Sequence, residues 1–298
     1  MKIAFLGLGK MGLPLVVRLL SSGHSVSAWN RTPKSQKTLD ALGIPAVALA
    51  PSIHAAVAHC DIVCTMLAND EATEAIAFGP EGLIAAMPPN SIHIAMGTLS
   101  VALSRRLMEN HAAAHQGYVA APVFGRPNVA EQGKLWVVAA GAEDAVARVR
   151  PVLDAIGRGL TVVGAQPWQA HAFKLAGNFM MTSMVQTIAE AFVFANSQGL
   201  DPELFLETVN HALFQSPFYL AYGRVMLHPP EHPGATVLIG EKDIRLFHDA
   251  TEAAGVRLGL VEYLQEQFNV AIRDGLGESD WAVGQYRVTQ KAAKNAGR

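Results

Sequence analysis

The chain has 298 residues, of which 50% are hydrophobic and 16% are charged, and its formal net charge at pH 7 is −2. This composition predicts a globular protein with enough apolar residues for one large domain or two of ordinary size. A net charge near zero, with no basic run beyond Arg105-Arg106, argues against a nucleic-acid partner and against binding to an anionic membrane surface. Because we find neither a signal-like N-terminal segment nor about 18 consecutive uncharged apolar residues, we expect a cytoplasmic protein without a membrane span.

Cysteine and histidine spacing predicts neither a disulfide nor a metal site. Cys60 and Cys64 flank an apolar run and lack the spacing of a zinc or redox motif, so we interpret them as small buried hydrophobic residues. His228 and His232 lie in a proline-rich stretch without ligand spacing. No metal is therefore expected.

The N-terminus carries a short apolar strand, predicted at 2–6, that runs into a glycine-rich turn. Gly7, Gly9 and Gly12 fit the pattern G-x-G-x-x-G. In this pattern one glycine permits a tight turn, one lets the backbone approach a pyrophosphate, and one lets the following helix pack on the strand. The helix start would present free N–H groups to the anion. The alternative is a strand–turn–helix corner that binds nothing.

The end of the second strand, predicted at 25–29, bears on the choice of cofactor. It is followed by Asn30, Arg31 and Thr32, about 20 residues after the glycine turn, where such folds contact the adenosine ribose. A carboxylate there would accept a hydrogen bond from the ribose 2′-OH of NAD, but the first acid is Asp40. An arginine with two short polar neighbours suits a 2′-phosphate, so we expect NADP(H). The alternative is that the basic residues of this turn are merely solvated.

Strand and helix patterns divide the chain into two parts. Strand-like runs alternate with helical patterns in the first part, at 2–6, 25–29, 61–66, 91–95, 118–120, 135–140 and 160–163. In the second part the strand signals stop, and helices are predicted at 167–197, 202–211, 217–226, 236–254 and 259–273. We therefore predict an α/β protein with an N-terminal Rossmann dinucleotide-binding domain, residues 1–163, and an all-helical C-terminal domain, residues 164–298, built on one long helix.

The long helix predicted at 167–197 has apolar side chains on more than one face. A helical domain of this size supplies little cover for so many apolar groups. A partner subunit would supply the rest, so we expect a homodimer or a higher homo-oligomer formed through this domain. The alternative is a monomer in which this helix is buried at the centre.

One face of the long helix carries polar side chains within an apolar segment. His171, Lys174, Asn178 and Met181 follow steps of three or four residues and so share that face. A lysine in such a place is either desolvated or extends its ammonium to solvent. A desolvated lysine is a usable proton donor and acceptor, which carbonyl reduction needs because the alkoxide formed on hydride arrival must take up a proton. Asn178 could orient the substrate or the lysine.

Over nearly its full length, the sequence resembles the β-hydroxyacid dehydrogenase family. This family includes hydroxyisobutyrate dehydrogenases, tartronate semialdehyde reductases and glyoxylate/succinic semialdehyde reductases. The motifs that carry the resemblance are Gly7-Leu8-Gly9-Lys10-Met11-Gly12, Trp29-Asn30-Arg31-Thr32, Asp61-Ile62-Val63-Cys64-Thr65-Met66-Leu67, Ala121-Pro122-Val123-Phe124-Gly125, Lys174-Leu175-Ala176-Gly177-Asn178 and Lys242-Asp243.

The resemblance implies hydride transfer between NADP(H) and a small β-hydroxy acid or semialdehyde-type carbonyl. It implies that Lys174 is the general acid in reduction and the general base in oxidation, with Asn178 assisting. The cofactor contacts it implies are Gly7, Gly9, Lys10, Met11, Gly12, Asn30, Arg31, Thr32, Met66, Leu67, Thr98 and Lys242. The substrate contacts it implies are Thr98, Phe124, Gly125, Arg126, Lys174 and Asn178. For Lys242 and Asp243 the alternative is a plain ion pair on a helix surface.

The sequence departs from the family pattern in the segments that bind substrate. Phe124 stands where the family has a serine that binds the substrate carboxylate, and Gly97 replaces the serine of the usual serine–threonine pair. The glycine-rich approach to the catalytic helix is also absent, since the chain has Gln166-Pro167-Trp168-Gln169-Ala170 there. Two carboxylate-binding hydroxyls are therefore missing. Arg126 either replaces them with a bidentate contact or faces solvent.

These departures keep two other functions open. Imine reductases resemble this chain in their NADP-binding domain and long helix, and Phe124, Trp168 and Phe173 would suit an apolar cyclic imine. Against this function, Lys174 is retained, and its ammonium would repel an iminium cation. A non-catalytic NADP-binding scaffold is the second alternative, but it would be expected to have lost the lysine or the cofactor glycines.

Overall fold

The computed structural model describes residues 1–41 and 47–296. The chain separates into two compact units, Met1–Lys174 and Leu175–Arg298. The first unit contains a sheet covered by helices, and the described part of the second is built from helices. The predicted fold class, a Rossmann-type α/β unit followed by helices on one long helix, is confirmed.

Within the described residues, the sheet of the first unit has nine strands. They are β1 Lys2–Leu6, β2 Ser25–Trp29, β3 Ala48–Leu49, β4 Ile62–Thr65, β5 Ile92–Ala95, β6 Gly117–Ala120, β7 Val123–Phe124, β8 Leu135–Ala140 and β9 Gly157–Gly164. The strand order is β3-β2-β1-β4-β5-β6-β8-β7, with β9 beside β8. The first six strands in this order pair in parallel, which is the order of a dinucleotide-binding fold. β8 runs antiparallel to β6 and β7.

The helices of the first unit lie mostly between successive strands. They are α1 Gly12–Ser21, α2 Gln36–Ala41, α3 Ile53–Val57, α4 Asp70–Ala77, α5 Leu83–Ala86, α6 Val101–Ala113, α7 Pro127–Glu131 and α8 Glu143–Ile156. Side chains of Ser52, Asn69 and Ser100 accept backbone N–H groups at the starts of α3, α4 and α6 and thereby fix where these helices begin. The strands are apolar runs because helices cover both faces of the sheet.

The long helix α9 covers Trp168–Ser197, within one residue of the predicted start. The division between the units falls inside it, because Ala170 in its first turn packs against Ala120, Val138 and Ala140 of the sheet. The second unit continues with α10 Pro202–Val209, a π-helical turn Asn210–Phe214, α11 Pro217–Leu227, α12 Val237–Ala253, α13 Gly259–Arg273 and α14 Trp281–Ala296. Its own core contains Phe192, Leu264, Phe268 and Trp281.

Several predicted boundaries differ from the structure. β9 begins at Gly157, three residues before the predicted strand at 160–163, because the glycine and arginine at its start give no strand signal. The helix predicted at 202–211 ends at Val209 and passes into the π-helical turn, which Gln215 closes in a left-handed conformation at φ 47°. The structure also contains β3, β7 and α14, which the sequence did not predict. The strands β3 and β7 have only two residues each, too few to show a periodic pattern.

Both cysteines are buried free thiols, as predicted. Burial raises the pKa of the Cys60 and Cys64 thiols above their ordinary value, so both stay protonated and unreactive. In the part of the chain that the structure describes, no helix combines the length and the apolar character needed to cross a bilayer.

Candidate active site

The glycine turn after β1 is built by close contacts that exclude larger side chains. Gly7 has φ +104°, and a Cβ atom there would lie 2.4 Å from the carbonyl oxygen of Met66. A Cβ at Gly12 would lie 1.9 Å from the carbonyl oxygen of Gly7, so the start of α1 sits directly on the turn. A Cβ atom at Gly9, in contrast, would meet no atom within 4 Å apart from its chain neighbours. Packing thus requires two of the glycines, whereas Gly9 leaves open backbone that a phosphate can approach.

Asn30 ties the glycine turn to the end of β2. Its Oδ1 accepts the backbone N–H of Leu8 at 2.8 Å, and its Nδ2 donates to the carbonyl oxygen of Thr32 at 2.8 Å. The Thr32 side chain and the neighbouring Arg31 are exposed at this corner, as is Lys10 on the turn itself. Asn30 therefore orders the corner through the backbone, and Arg31 is accessible to an anion beside it.

The turns after β4 and β5 lie against the same edge of the sheet. A Cβ atom at Gly97 would be 2.7 Å from the carbonyl oxygen of Leu67, and the backbone N–H of Ser100 donates to Asp70 Oδ1 at 3.0 Å. Thr98, between Gly97 and Ser100, is partly buried there. Met11, Met66 and Leu67 are partly buried as well. The parallel strands thus bring the predicted cofactor residues of the first unit to one edge.

Phe124 ends the short strand β7 and pairs opposite Trp136 of β8. Gly125 follows at φ +141°, and a Cβ there would lie 2.5 Å from Leu135 Cδ2, so this position needs glycine. Arg126 is the N-cap of α7 and is partly buried, rather than fully facing solvent. The substrate loop inferred from sequence is therefore a tight turn with Phe124 at its start.

Lys174 is only 9% exposed, so its ammonium is desolvated and does not extend into solvent. Its Nζ lies over the ring of Phe124, 4.1 Å from the ring centroid, at a distance typical of a cation–π contact. Phe173 is 48% exposed and packs edge-on against Phe124, with centroids 6.4 Å apart. Trp168 has the guanidinium of Arg105 over its ring at 3.7 Å. Of the three aromatic residues suited to an imine, Phe124 therefore lies under the lysine and Phe173 packs against Phe124.

Asn178 lies one helical turn after Lys174 on α9 and is buried. Its Nδ2 donates to Asp243 Oδ2 at 2.6 Å, and Lys242 Nζ lies 2.9 Å from Asp243 Oδ1. The Lys242 and Asp243 side chains are only 13% and 6% exposed, so the alternative of a surface ion pair is wrong. The family resemblance implies a role for Lys242 but none for Asp243. The sequence signal for a role of Asp243 was an acidic residue next to a lysine in a helix that is otherwise apolar on that side.

A buried histidine chain in the first unit was not predicted. Thr65 Oγ1 lies 2.9 Å from His93 Nε2, His93 Nδ1 lies 2.9 Å from His111 Nε2, and His111 Nδ1 lies 2.8 Å from Gln116 Oε1. The Gln116 amide nitrogen donates to two backbone carbonyl oxygens, so its Oε1 accepts from His111. His111 Nε2 then accepts a hydrogen bond from His93 Nδ1, and His93 Nε2 accepts one from the Thr65 hydroxyl, so both rings are neutral.

Burial lowers the pKa of both rings. For His93 the desolvation is joined by the nearby His111 and His171, and for His111 the pKa falls to about 4. Among residues 1–41 and 47–296, no group of three or more His, Cys, Asp or Glu side chains is arranged to hold a metal ion.

Two family models match the chain. The model for the NAD binding domain of 6-phosphogluconate dehydrogenase matches residues 2–164. The model for the NAD-binding domain of NADP-dependent 3-hydroxyisobutyrate dehydrogenase matches residues 169–284. Together they cover both units.

Curated relatives are similar over nearly the whole chain. The uncharacterized oxidoreductase YfjR of Bacillus subtilis is 37% identical over 283 residues, which is 95% of this chain and 98% of the relative. The 2-hydroxy-3-oxopropionate reductase of Escherichia coli is 26% identical over 280 residues, 94% of each chain. Glyoxylate/succinic semialdehyde reductase 2 of Arabidopsis thaliana is 28% identical over 94% of this chain and 77% of the relative.

Solved structures agree in fold. The 3-hydroxyisobutyrate dehydrogenase of Mycobacterium tuberculosis with L-serine has a TM-score of 0.84 at 26% identity, covering 96% of this chain and 98% of that one. An imine reductase of Myxococcus stipitatus with NADP⁺ has a TM-score of 0.65 at 18% identity, covering 95% and 98%, and is alike in fold alone. The family models, the relatives and the fold therefore establish this chain as a member of the 3-hydroxyacid dehydrogenase family of NAD(P)-binding oxidoreductases, whose members act on CH–OH groups.

Proposed function

We propose that the protein catalyses reversible hydride transfer between NADP(H) and a small β-hydroxy acid or semialdehyde-type carbonyl, with Lys174 as the acid and base. The observation that carries this proposal is the burial of Lys174, whose Nζ is held over the Phe124 ring at 4.1 Å. The names of the Escherichia coli and Arabidopsis thaliana relatives, which are reductases of an oxo acid and of semialdehydes, support the reaction class.

Bound NADPH supplies the hydride in reduction, and NADP⁺ accepts it in oxidation. As the carbonyl carbon gains the hydride, the electrons of its C=O bond move to oxygen, and the Lys174 ammonium donates a proton there. In oxidation the neutral amine takes the hydroxyl proton back. The Asn178 amide is fixed by its hydrogen bond to Asp243, and its proposed role is to orient the substrate or the lysine.

NADP(H) is the proposed cofactor because the end of β2 offers an arginine and no acid. Arg31 and Thr32 are exposed beside the ordered glycine turn, and Gly9 leaves its backbone open. An exposed guanidinium suits the ribose 2′-phosphate of NADP(H), which NAD(H) lacks.

Imine reduction is the second candidate, and the aromatic pair Phe124 and Phe173 favours it. The same ring, however, holds the Lys174 ammonium at 4.1 Å, where a positive charge repels the iminium form that is reduced most readily. Carbonyl reduction has no such penalty. We therefore rank carbonyl reduction first.

The test is Lys174→Ala, assayed by nicotinamide absorbance with hydroxy acids, semialdehydes and cyclic imines. We expect kcat to fall by about 10²-fold to 10⁴-fold, as removal of a general acid does, with the affinity for NADPH unchanged. Lys294→Ala, which removes an exposed lysine of α14, should leave kcat unchanged. Comparable turnover in the Lys174→Ala enzyme would refute the role of this lysine, and turnover confined to imines would favour the second candidate.

A further inference from the structure

The apolar surroundings of Lys174 bear on the substrate. The ring of Phe124 lies under Nζ at 4.1 Å, and Phe173 closes the edge of this ring at a centroid distance of 6.4 Å. Phe124 is partly exposed and Phe173 is 48% exposed, so both retain surface that a ligand can cover. The buried amine thus lies over one phenyl ring, a second phenyl ring flanks the first, and both rings keep accessible surface.

A substrate protonated by Lys174 must come close to the Phe124 ring. Its carbonyl oxygen has to lie about 2.6–3.2 Å from Nζ for proton transfer. The groups bonded to the carbonyl carbon are then only two or three bonds from an atom that sits beside the ring. One of these groups therefore contacts Phe124 or Phe173.

The electrostatics of an aromatic ring determine which groups fit. The face of a phenyl ring carries partial negative charge, so it attracts the Lys174 ammonium and disfavours a carboxylate laid on it. An aryl or alkyl group in the same place buries apolar area and gains stacking or edge contacts. Neither ring offers a hydrogen-bond donor to a carboxylate.

We propose that Phe124 is a specificity-determining residue that makes the site select carbonyl substrates with an aryl or bulky alkyl substituent over those with a carboxylate in that place. This inference rests on the proposed function and narrows its substrate class. Phe173 forms the second wall. Gly125 supports the arrangement because its left-handed backbone and the close Leu135 side chain fix the turn that presents Phe124.

The test compares two aldehydes that share a two-carbon tether, 3-phenylpropanal and succinic semialdehyde. For the wild-type enzyme with NADPH, we expect kcat/KM for the phenyl substrate to exceed that for the carboxylate substrate by roughly tenfold or more, as apolar pockets discriminate. Phe124→Ser should lower this ratio by a similar factor, and Phe124→Tyr, which keeps the ring, should preserve it. Val162→Ser, which changes an exposed apolar residue of β9, is the control and should leave the ratio unchanged.

The outcomes separate this inference from the proposed function. If both aldehydes are reduced in a Lys174-dependent manner but the ratio is below one, or is unaffected by Phe124→Ser, the proposed function stands and the role of Phe124 is refuted. If neither aldehyde nor any other carbonyl is reduced in a Lys174-dependent manner, the proposed function itself fails. Folding of each variant is checked by its unchanged NADPH affinity, since Phe124 lies outside the glycine turn.

Discussion

At the scale of single residues, the contact between Lys174 and Phe124 orients the amine but is too weak to offset the cost of burying its positive charge. Cation–π contacts contribute about 0.5–2 kcal/mol, whereas taking an ammonium out of water costs several kcal/mol. The ring therefore aims Nζ, which lies over it at 4.1 Å, without locking the proton in place. The acid–base role proposed for Lys174, in which a proton leaves and returns in each catalytic cycle, needs such an arrangement.

Arg31 supports a prediction at the same scale. Its exposed guanidinium stands beside the glycine turn, so Arg31→Ala should raise KM for NADPH by roughly tenfold or more, because charge-assisted contacts to a phosphate are lost. KM for NADH, which has no 2′-phosphate, should change less than about threefold. Steady-state kinetics with each cofactor at saturating substrate provide the measurement.

The matched control is Arg150→Ala, which removes an exposed arginine of α8 that pairs with Asp154. It should leave KM for both cofactors unchanged. Equal increases for NADPH and NADH in the Arg31→Ala enzyme would mean that Arg31 orders the turn rather than binding the phosphate.

At the scale of elements, the histidine chain joins β4, β5 and α6 through side chains instead of backbone. Thr65 ends β4, His93 lies in β5 and His111 lies near the end of α6, where it also stacks on Tyr118 with ring planes 7° apart. Because His111 Nε2 accepts from the N–H of His93 Nδ1, protonating His111 would leave two donors facing each other. This hydrogen-bonded arrangement is therefore kept only while His111 is neutral.

Acidification should therefore destabilise the first unit. The folded-state pKa of His111 is about 4, below the usual value of 6.5, so the unfolded chain binds protons first as the pH falls. The stabilisation is fully present above about pH 6.5 and is lost progressively toward pH 4, by about 2 kcal/mol at pH 5 from His111 alone. His93, whose pKa is also lowered, adds in the same direction. Urea unfolding at several pH values measures this loss.

His111→Phe keeps a ring against Tyr118 but cannot titrate. Its stability near neutral pH should be lower than that of the wild type, since hydrogen bonds to His93 and Gln116 are lost, yet it should decline less between pH 7 and pH 5. His54→Gln, at an exposed site on α3, should keep the full wild-type decline. An identical decline in all three proteins would show that other groups cause it.

How much the sequence could predict depends on how local each feature is. The glycine turn was predictable because Gly7 and Gly12 constrain one another within a few residues, and long apolar runs predicted most of the strands. The hydrogen bond from Asn178 to Asp243 spans 65 residues, and that from Thr65 to His93 spans 28. Such contacts arise only when the elements pack, so no spacing rule indicates them. The family resemblance implied that Phe124 and Lys174 both contact the substrate, but it did not predict the contact between them.

At the scale of the whole molecule, each unit has its own apolar core, yet the second leaves many large apolar side chains exposed. The α9 residues Met180 and Phe194 are more than half exposed, and so are Leu204, Leu213 and Phe218 beyond it. Scattered apolar residues are normal on a surface, but this number in one helical unit is typical of an interface. We accordingly propose a homodimer or a higher homo-oligomer formed through these helices, as the composition of α9 led us to expect.

The mass in solution tests this proposal. Light scattering should give at least twice the 31.7 kDa of one chain, and Phe194→Glu should shift the mass toward a single chain. A carboxylate buried in an apolar interface costs about 3 kcal/mol or more, which weakens association roughly 100-fold. Gln198→Glu adds the same charge one turn away at an exposed polar position and should keep the wild-type mass. A wild-type mass of one chain at every concentration would contradict the proposal, and the exposed apolar residues of α9 would then need a different partner.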